Sequence, residues 1–259
     1  MLLITGPSWP EHSFEKPTAS SSINPILCNP FTIAGKPIYL VQKEKKRKSK
    51  ENHSAIEKCN KDSIISHTEA TANTVWDGCI VLSKYLEYQV EEGNLCLKNL
   101  RILELGSGQG ILGLACAHLL AKVVFSDVQF ALNKLKLNIK QNEMIQSNIE
   151  AIIELDWLKG IKDKKVDNTL LKKFDLIVAA DVIWVDELVV PLCRVIDDLL
   201  YPDENSMLLC YQPRGKKVDL LLFSTLKQLN LSYDLIDFKY HHPFYKKPDI
   251  VFIYKIYKS

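Results

Sequence analysis

ILELGSGQGILG, residues Ile102–Gly113, is the stretch whose reading decides the fold. An apolar run ends at Leu105, glycines stand at 106, 108 and 110, and a helical pattern opens at Ile111. Glycines at a strand-to-helix turn remove side chains and let backbone N–H groups approach a ligand closely. Outward from this turn, strand-like apolar runs recur at LRILEL (Leu100–Leu105), KVVFSD (Lys122–Asp127), IEAIIEL (Ile149–Leu155), FDLIVAA (Phe174–Ala180) and SMLLCYQ (Ser206–Gln212). Helical stretches fall between them at Ile111–Leu120, Phe130–Asn142, Glu187–Leu200 and Lys216–Leu229. Strands apolar on both faces, in strict turn with helices, predict a parallel sheet covered on both sides.

Upstream, VWDGCIVLSKYLEYQV carries Ile80, Val81, Tyr85 and Leu86 at the spacing of one helix face. Downstream, LSYDLIDFKY (Leu231–Tyr240) and IVFIYKIY (Ile250–Tyr257) read as two strands joined with no helix, making seven in the body. FTIAGKPIYLVQ (Phe31–Gln42) reads as a hairpin turning about Gly35-Lys36. The expected architecture is therefore α/β and Rossmann-like: seven strands, an N-terminal β hairpin and an antiparallel C-terminal pair. The expected division is an irregular arm over 1–30, the hairpin and a flexible basic insertion over 31–73, and the main domain over 74–259.

The composition excludes several classes. With 47% hydrophobic and 25% charged residues in a chain of 259, a large core is expected and disorder over most of the chain is not. No run of about 18 apolar residues is present, so no membrane span is expected, and the apolar start is too short for a signal-peptide core. The net charge of +2 hides a division: KEKKRKSK (Lys43–Lys50) contributes +5, leaving −3 (2 − 5) for everything else. Seven cysteines, none in a C-x-x-C clip, imply reduced thiols and a cytosolic or nuclear protein. The neighbouring His241 and His242 do not form a metal pair, because adjacent strand residues face opposite sides; no metal is expected.

About twenty residues after the glycine turn, Asp127 ends the next strand, where a carboxylate can accept the hydroxyls of an adenosine ribose. A nucleoside cofactor follows, and two versions compete. Gly108-x-Gly110-x-x-Gly113 formally matches the dinucleotide fingerprint. However, the turn opens at Gly106, directly after the strand and two residues after Glu104. That E-x-G-x-G-x-G run is the S-adenosylmethionine version. A nicotinamide enzyme would also need a second nucleotide-binding half, for which the residues after Gln212 leave little room.

VWDGCIVLSKYL (Val75–Leu86), LELGSGQGILGLACA (Leu103–Ala117), ELDWL (Glu154–Leu158) and AADVIW (Ala179–Trp184) occur in that order. Together they resemble the seven-β-strand protein-lysine methyltransferases of the methyltransferase-like family (methyltransferase family 16). The resemblance implies a seven-stranded methyltransferase fold and a cofactor site that includes Trp76, Glu104, Gly106, Ser107, Gly108, Asp127, Trp157 and Ala180. It implies Asp181 and Trp184 as catalytic residues at the carboxyl end of the fourth apolar strand, where open α/β sheets bind ligands. Asp181 would attract and orient a substrate ammonium, or instead cap the helix that follows. The family commonly has tyrosine where this chain has Trp184, so the flat aromatic wall is kept and a phenol oxygen is lost.

The implied activity is transfer of a methyl group from S-adenosylmethionine to a lysine ε-amine on a protein substrate, by a chain expected to be monomeric. The rivals are a nucleic-acid methyltransferase using KEKKRKSK for phosphate contacts, a small-molecule methyltransferase, and a non-catalytic scaffold. No Asn/Asp-Pro-Pro-Tyr/Phe run stands at the fourth strand end, which disfavours an adenine amine as the target. The mildly acidic body suits a lysine-bearing protein better than a phosphate backbone.

Overall fold

The computed structural model describes residues 31–41, 74–162 and 173–258. The arm expected over 1–30 and the basic run Lys43–Lys50 lie outside the described residues. The hairpin is formed by β1 (Phe31–Ile33) and β2 (Lys36–Ile38). Its turn is Ala34-Gly35, both at positive φ (50° and 71°), so Lys36 belongs to the second strand and not to the turn. Two left-handed residues in succession match the twist of a tight hairpin, which is why glycine stands in the second position.

The body begins with α1 (Asp77–Glu91) and then alternates: β3 (Arg101–Leu105), α2 (Ile111–His118), β4 (Lys122–Asp127), α3 (Gln129–Gln141) and β5 (Ile149–Glu154). It continues with β6 (Leu176–Ala180), α4 (Asp186–Leu199), β7 (Ser206–Tyr211), α5 (Lys216–Gln228), β8 (Leu231–Leu235) and β9 (Phe252–Lys258). One sheet holds the order β5-β4-β3-β6-β7-β9-β8. Strands β3 to β7 run parallel, whereas β9 is antiparallel to both neighbours. The C-terminal pair is present, but β9 inserts between β7 and β8 instead of adding to the edge. A short 3-10 turn, Phe238–Tyr240, lies in the connection expected to hold no helix.

Alternation along the central strands sorts the core into two layers. Ile102 of β3 and Phe125 of β4 point to the face packed by α1, α2, α3 and the hairpin. Leu103, Leu105 and Val124 point to the face packed by α4 and α5. Buried apolar residues on both faces are what a parallel sheet requires, since helices cover each side. By the same period of two, Glu104 falls on the α2 side, inside the protein.

The hairpin is attached by polar contacts as well as packing. Lys84 Nζ of α1 donates to Thr32 O at 2.7 Å and to Glu87 Oε2 at 2.6 Å, and the Ala34 amide donates to Glu87 Oε1 at 2.6 Å. The Lys84 ammonium also lies 5.3 Å from the Phe31 ring centre and 5.1 Å from that of Tyr245. Beyond the hairpin, Asn138 of α3 and Asn142, just past its end, bind the backbone of Val41 and Tyr39. Asn138 Nδ2 reaches on to Gln109 O at 2.9 Å, so the incoming segment is braced against the glycine turn.

Both members of the Lys84–Glu87 pair are 7% exposed. Removing one member of a buried pair strands the other charge, at a cost of about 3–5 kcal/mol. Glu87→Ala is therefore expected to lower unfolding free energy by that amount in a urea titration. Replacing both residues together, Lys84→Met with Glu87→Leu, should cost less than the single change.

Candidate active site

The strand order reverses between β3 and β6: β4 and β5 lie to one side, β7 and β9 to the other. Connections leaving the carboxyl ends of β3 and β6 diverge there and open a crevice. A cleft of about 390 Å³ occupies this position, bordered by the glycine turn, the ends of β4, β5 and β6, and the start of α1.

Each strand end supplies part of the wall. After β3, Gly106, Gly108 and Gly110 all hold positive φ (64°, 51° and 83°), a conformation that side chains disfavour. The Ser107 amide donates to Ser126 O at 2.9 Å, continuing the ladder to β4 past the end of β3. Asp127 closes β4, its Oδ2 accepting from the Gly108 amide and its Oδ1 from the Val128 amide, each at 2.7 Å. Burial pushes the Asp127 carboxyl above its ordinary pKa, against the pull of those two amides. After β5, the Trp157 ring lies so close over Gly106 that a Cβ there would stand 3.1 Å from the indole and 2.8 Å from Val182 Cγ1. The Trp157 indole nitrogen is buried without a hydrogen-bond partner in the protein.

Glu104 is placed differently from its neighbours in the motif. It does not border the cleft. Its side chain sits beneath the turn, 3% exposed, with Oε2 unpartnered and 2.6 Å from where a Cβ on Gly113 would fall. Gly113 thus lets α2 pack onto Phe125 and Glu104, while Gly106 shapes the turn. Burial raises the Glu104 carboxyl to about 8; Ser107 and the Gly113 amide pull it down, and Asp127 adds to the rise.

At the other end, Ala180 finishes β6 and Asp181 follows with φ 53°. Its amide donates to Cys210 O at 3.0 Å, and its Oδ2 accepts from the Gly78 amide at 2.7 Å. Helix α4 starts at Asp186 with Val185 in the capping position, so Asp181 does not cap the helix that follows. It caps α1, distant in sequence, and a Cβ on Gly78 would come within 2.6 Å of Oδ2. Trp76, Asp181 and Trp184 all border the cleft. Arg214 adds a residue that sequence motifs did not mark: its Nη2 stands 3.6 Å from Asp181 Oδ1, and its guanidinium lies 5.1 Å from the Trp76 ring centre.

Of the residues singled out in the sequence, Trp76, Gly106, Ser107, Gly108, Asp127, Trp157, Ala180, Asp181 and Trp184 meet at this cleft, and Glu104 stands behind it. Elsewhere, His241 is buried between Tyr85 and Phe238, and His242 accepts from the amides of Phe244 and Tyr245. Among the described residues no group of three or more His, Cys, Asp or Glu could hold a metal, and no helix is long and apolar enough to cross a membrane.

A family model described as lysine methyltransferase matches residues 61–229, a span that contains the whole cleft. The chain belongs to the lysine methyltransferase family. It is 32% identical over 140 residues to the protein N-lysine methyltransferase METTL21A of Mus musculus, covering 54% of this chain and 60% of that protein. It is 30% identical over 133 residues to the protein-lysine methyltransferase METTL21E of Bos taurus, covering 51% and 44%. The match thus spans 60% or less of the length of these relatives. Among solved structures, magnesium protoporphyrin IX methyltransferase of Synechocystis PCC 6803 superposes with a TM-score of 0.47 at 16% identity, covering 79% of this chain and 87% of that one.

Within this family member, Arg214 was missed because no glycine or acidic motif flags it. The signal available was positional: Pro213 and Gly215 mark a turn just past a strand end, on the edge where ligands bind.

The raised Glu104 carboxyl makes a stability prediction. Its unfolded value is near 4.5 and its folded value about 8. Below 4.5 both states are protonated and no penalty applies; between the two values the unfolded chain gives up the proton more readily, so folding loses stability as pH rises. At 1.36 kcal/mol per unit, the loss is on the order of 3–5 kcal/mol by pH 8. Glu104→Gln should therefore gain melting temperature relative to the unsubstituted chain as pH goes from 4.5 to 8, measured by calorimetry without added ligand.

Proposed function

We propose that the chain is an S-adenosylmethionine-dependent protein-lysine N-methyltransferase. The observation that carries this reading is that residues matching the lysine methyltransferase family converge on one cleft, with Asp127 and Trp157 at one end and Trp76, Asp181 and Trp184 at the other.

The residues fit the cofactor. Asp127 retains lone pairs beyond those given to two amides and would accept ribose hydroxyls. Trp157 offers an indole face for adenine, and the turn of Gly106, Ser107 and Gly108 leaves room for the methionine part. The buried Asp127 carboxyl beside the turn disfavours an anionic pyrophosphate there. When bound, S-adenosylmethionine supplies an electrophilic methyl group on a sulfonium.

The acceptor end has a different task. A lysine amine must be neutral to attack, and with a free pKa near 10.4 that form costs about 4.6 kcal/mol at pH 7. Trp76 and Trp184 wall this end with indole surface, and dehydration between them lowers an amine pKa. Asp181 offers an ammonium little free carboxylate, because Oδ2 is held by Gly78 and Oδ1 faces Arg214. Its work is to hold the start of α1, and with it Trp76, against the sheet edge. The proton leaves to solvent, and alignment of amine and methyl group supplies much of the acceleration. The substrate is a protein presenting a lysine to the mouth of the cleft. The five described cysteines are free, which supports the cytosol or nucleus as the place of action.

Two outcomes test this reading. Asp127→Ala should weaken S-adenosylmethionine binding 10- to 100-fold by calorimetry, the loss expected for hydrogen bonds to a charged group, with Asp127→Asn in between. Tritiated S-adenosylmethionine added with the purified chain to lysate from cells lacking it should label a band that survives nuclease and yields methyl-lysine on hydrolysis. Label removed by nuclease would assign the activity to nucleic acid instead.

A further inference from the structure

Arg214 follows β7 in the sequence Gln212-Pro213-Arg214-Gly215 and reaches back to the end of β6. The Asp181 side chain is 1% exposed and that of Arg214 is 27% exposed, so the carboxylate is sealed behind the guanidinium. Arg214 is not among the residues that border the cleft, whereas its two partners, Trp76 and Asp181, are. A guanidinium inside the cleft would compete with a lysine for the carboxylate. One placed behind the wall leaves the space open and changes only its charge.

We propose that Arg214 is a positioning residue of the acceptor end: lying over the Trp76 ring and paired with Asp181, it balances the carboxylate so that an entering amine is not held as ammonium. The inference rests on the lysine-acceptor reading above and deepens it. An unbalanced carboxylate beside an amine favours the charged form and raises its pKa, which is the wrong direction for a nucleophile.

Among the described residues, the groups facing Asp181 come from two elements. From α1 these are Asp77, Cys79 and the Gly78 amide; from β7 and the turn after it, Cys210, the Gln212 amide and Arg214. Asp77 is itself balanced by Lys247 at 2.5 Å. Both thiols are buried and pushed upward, so they carry no charge at neutral pH. What remains is one carboxyl and one guanidinium, which cancel. Burial pushes the Asp181 carboxyl up while the Gly78 amide and Arg214 pull it down, so Arg214 helps keep it ionised.

The test is the pH profile of methyl transfer from saturating tritiated S-adenosylmethionine to lysate protein, using the full chain. Arg214→Met keeps an apolar stem for Trp76 and removes the charge. It should bind S-adenosylmethionine within about threefold of the unsubstituted chain. The acidic limb of its rate profile should move up by about one pH unit, about tenfold slower at pH 7 and converging at high pH. Arg214→Lys should restore the limb. Asp181→Asn, which keeps an acceptor for Gly78, should move the limb the opposite way, and combined with Arg214→Met should bring it back. Lysine labelling by Arg214→Met reduced equally at every pH, or an Asp181→Asn limb that does not move down, overturns the inference and leaves the activity standing. Absence of lysine labelling by the unsubstituted chain overturns both.

Discussion

One hydrogen bond joins the two halves of the site: the Gly78 amide donates to Asp181 Oδ2 across 2.7 Å. It ties the first turn of α1 to the end of β6, residues separated by about a hundred positions in the chain. Both partners are specialised for it. Asp181 holds a left-handed backbone (φ 53°), which costs an L residue energy and is best tolerated by Asp or Asn. Gly78 has no side chain, and any Cβ there would sit 2.6 Å from the same oxygen. The carboxylate also meets the positive end of the α1 dipole, a favourable placement for an anion. Trp76 stands two residues before this contact, so its indole is fixed against the cleft by a bond it does not itself make.

The cleft is held at an electrostatic cost. Glu104, Asp127 and Asp181 lie along one sheet edge, and in all three burial raises the carboxyl pKa. Each is compensated in a different manner: Asp127 by two amides, Asp181 by an amide and a guanidinium, Glu104 least of all. A structure selected only for stability would replace Glu104 by an apolar residue, as Phe125, which meets it under Gly113, is apolar.

The fold was legible because its determinants are local. Continuous apolar runs and the glycine turn locate β3 to β7 and α2 to α5 within a residue or two, since β3, β4, β6 and β7 are buried on both faces and cannot be polar. The hairpin turn was displaced by one residue because Ala34, not Lys36, takes the left-handed position. What escaped the sequence was pairing between distant segments. Nothing in IVFIYKIY says that it will slide between β7 and β8, because an antiparallel partner is chosen by the whole edge. At the site, the motif order pointed to the right strand ends, yet it grouped Glu104 with the cleft-facing residues. The strand period already turns Glu104 toward α2, so that distinction was available. The contact of Asp181 with α1 and the presence of Arg214 were not, because both depend on elements brought together only by the sheet.

The exchange of tyrosine for Trp184 gains meaning from Arg214. A phenol at that position could accept a hydrogen bond from an ammonium or donate to an amine, adding a polar contact to the acceptor end. An indole has one donor and no acceptor, so it cannot stabilise an ammonium by hydrogen bonding. Here the carboxylate is balanced from behind and the aromatic wall has lost its acceptor oxygen, and both changes act in the same direction. On the proposed lysine reading, the acceptor end would select for flat apolar contact along the lysine stem and against the charged head group. On that reading, discrimination by stem length and by the neutral form would replace discrimination by charge, binding an amine less tightly but leaving it ready to react.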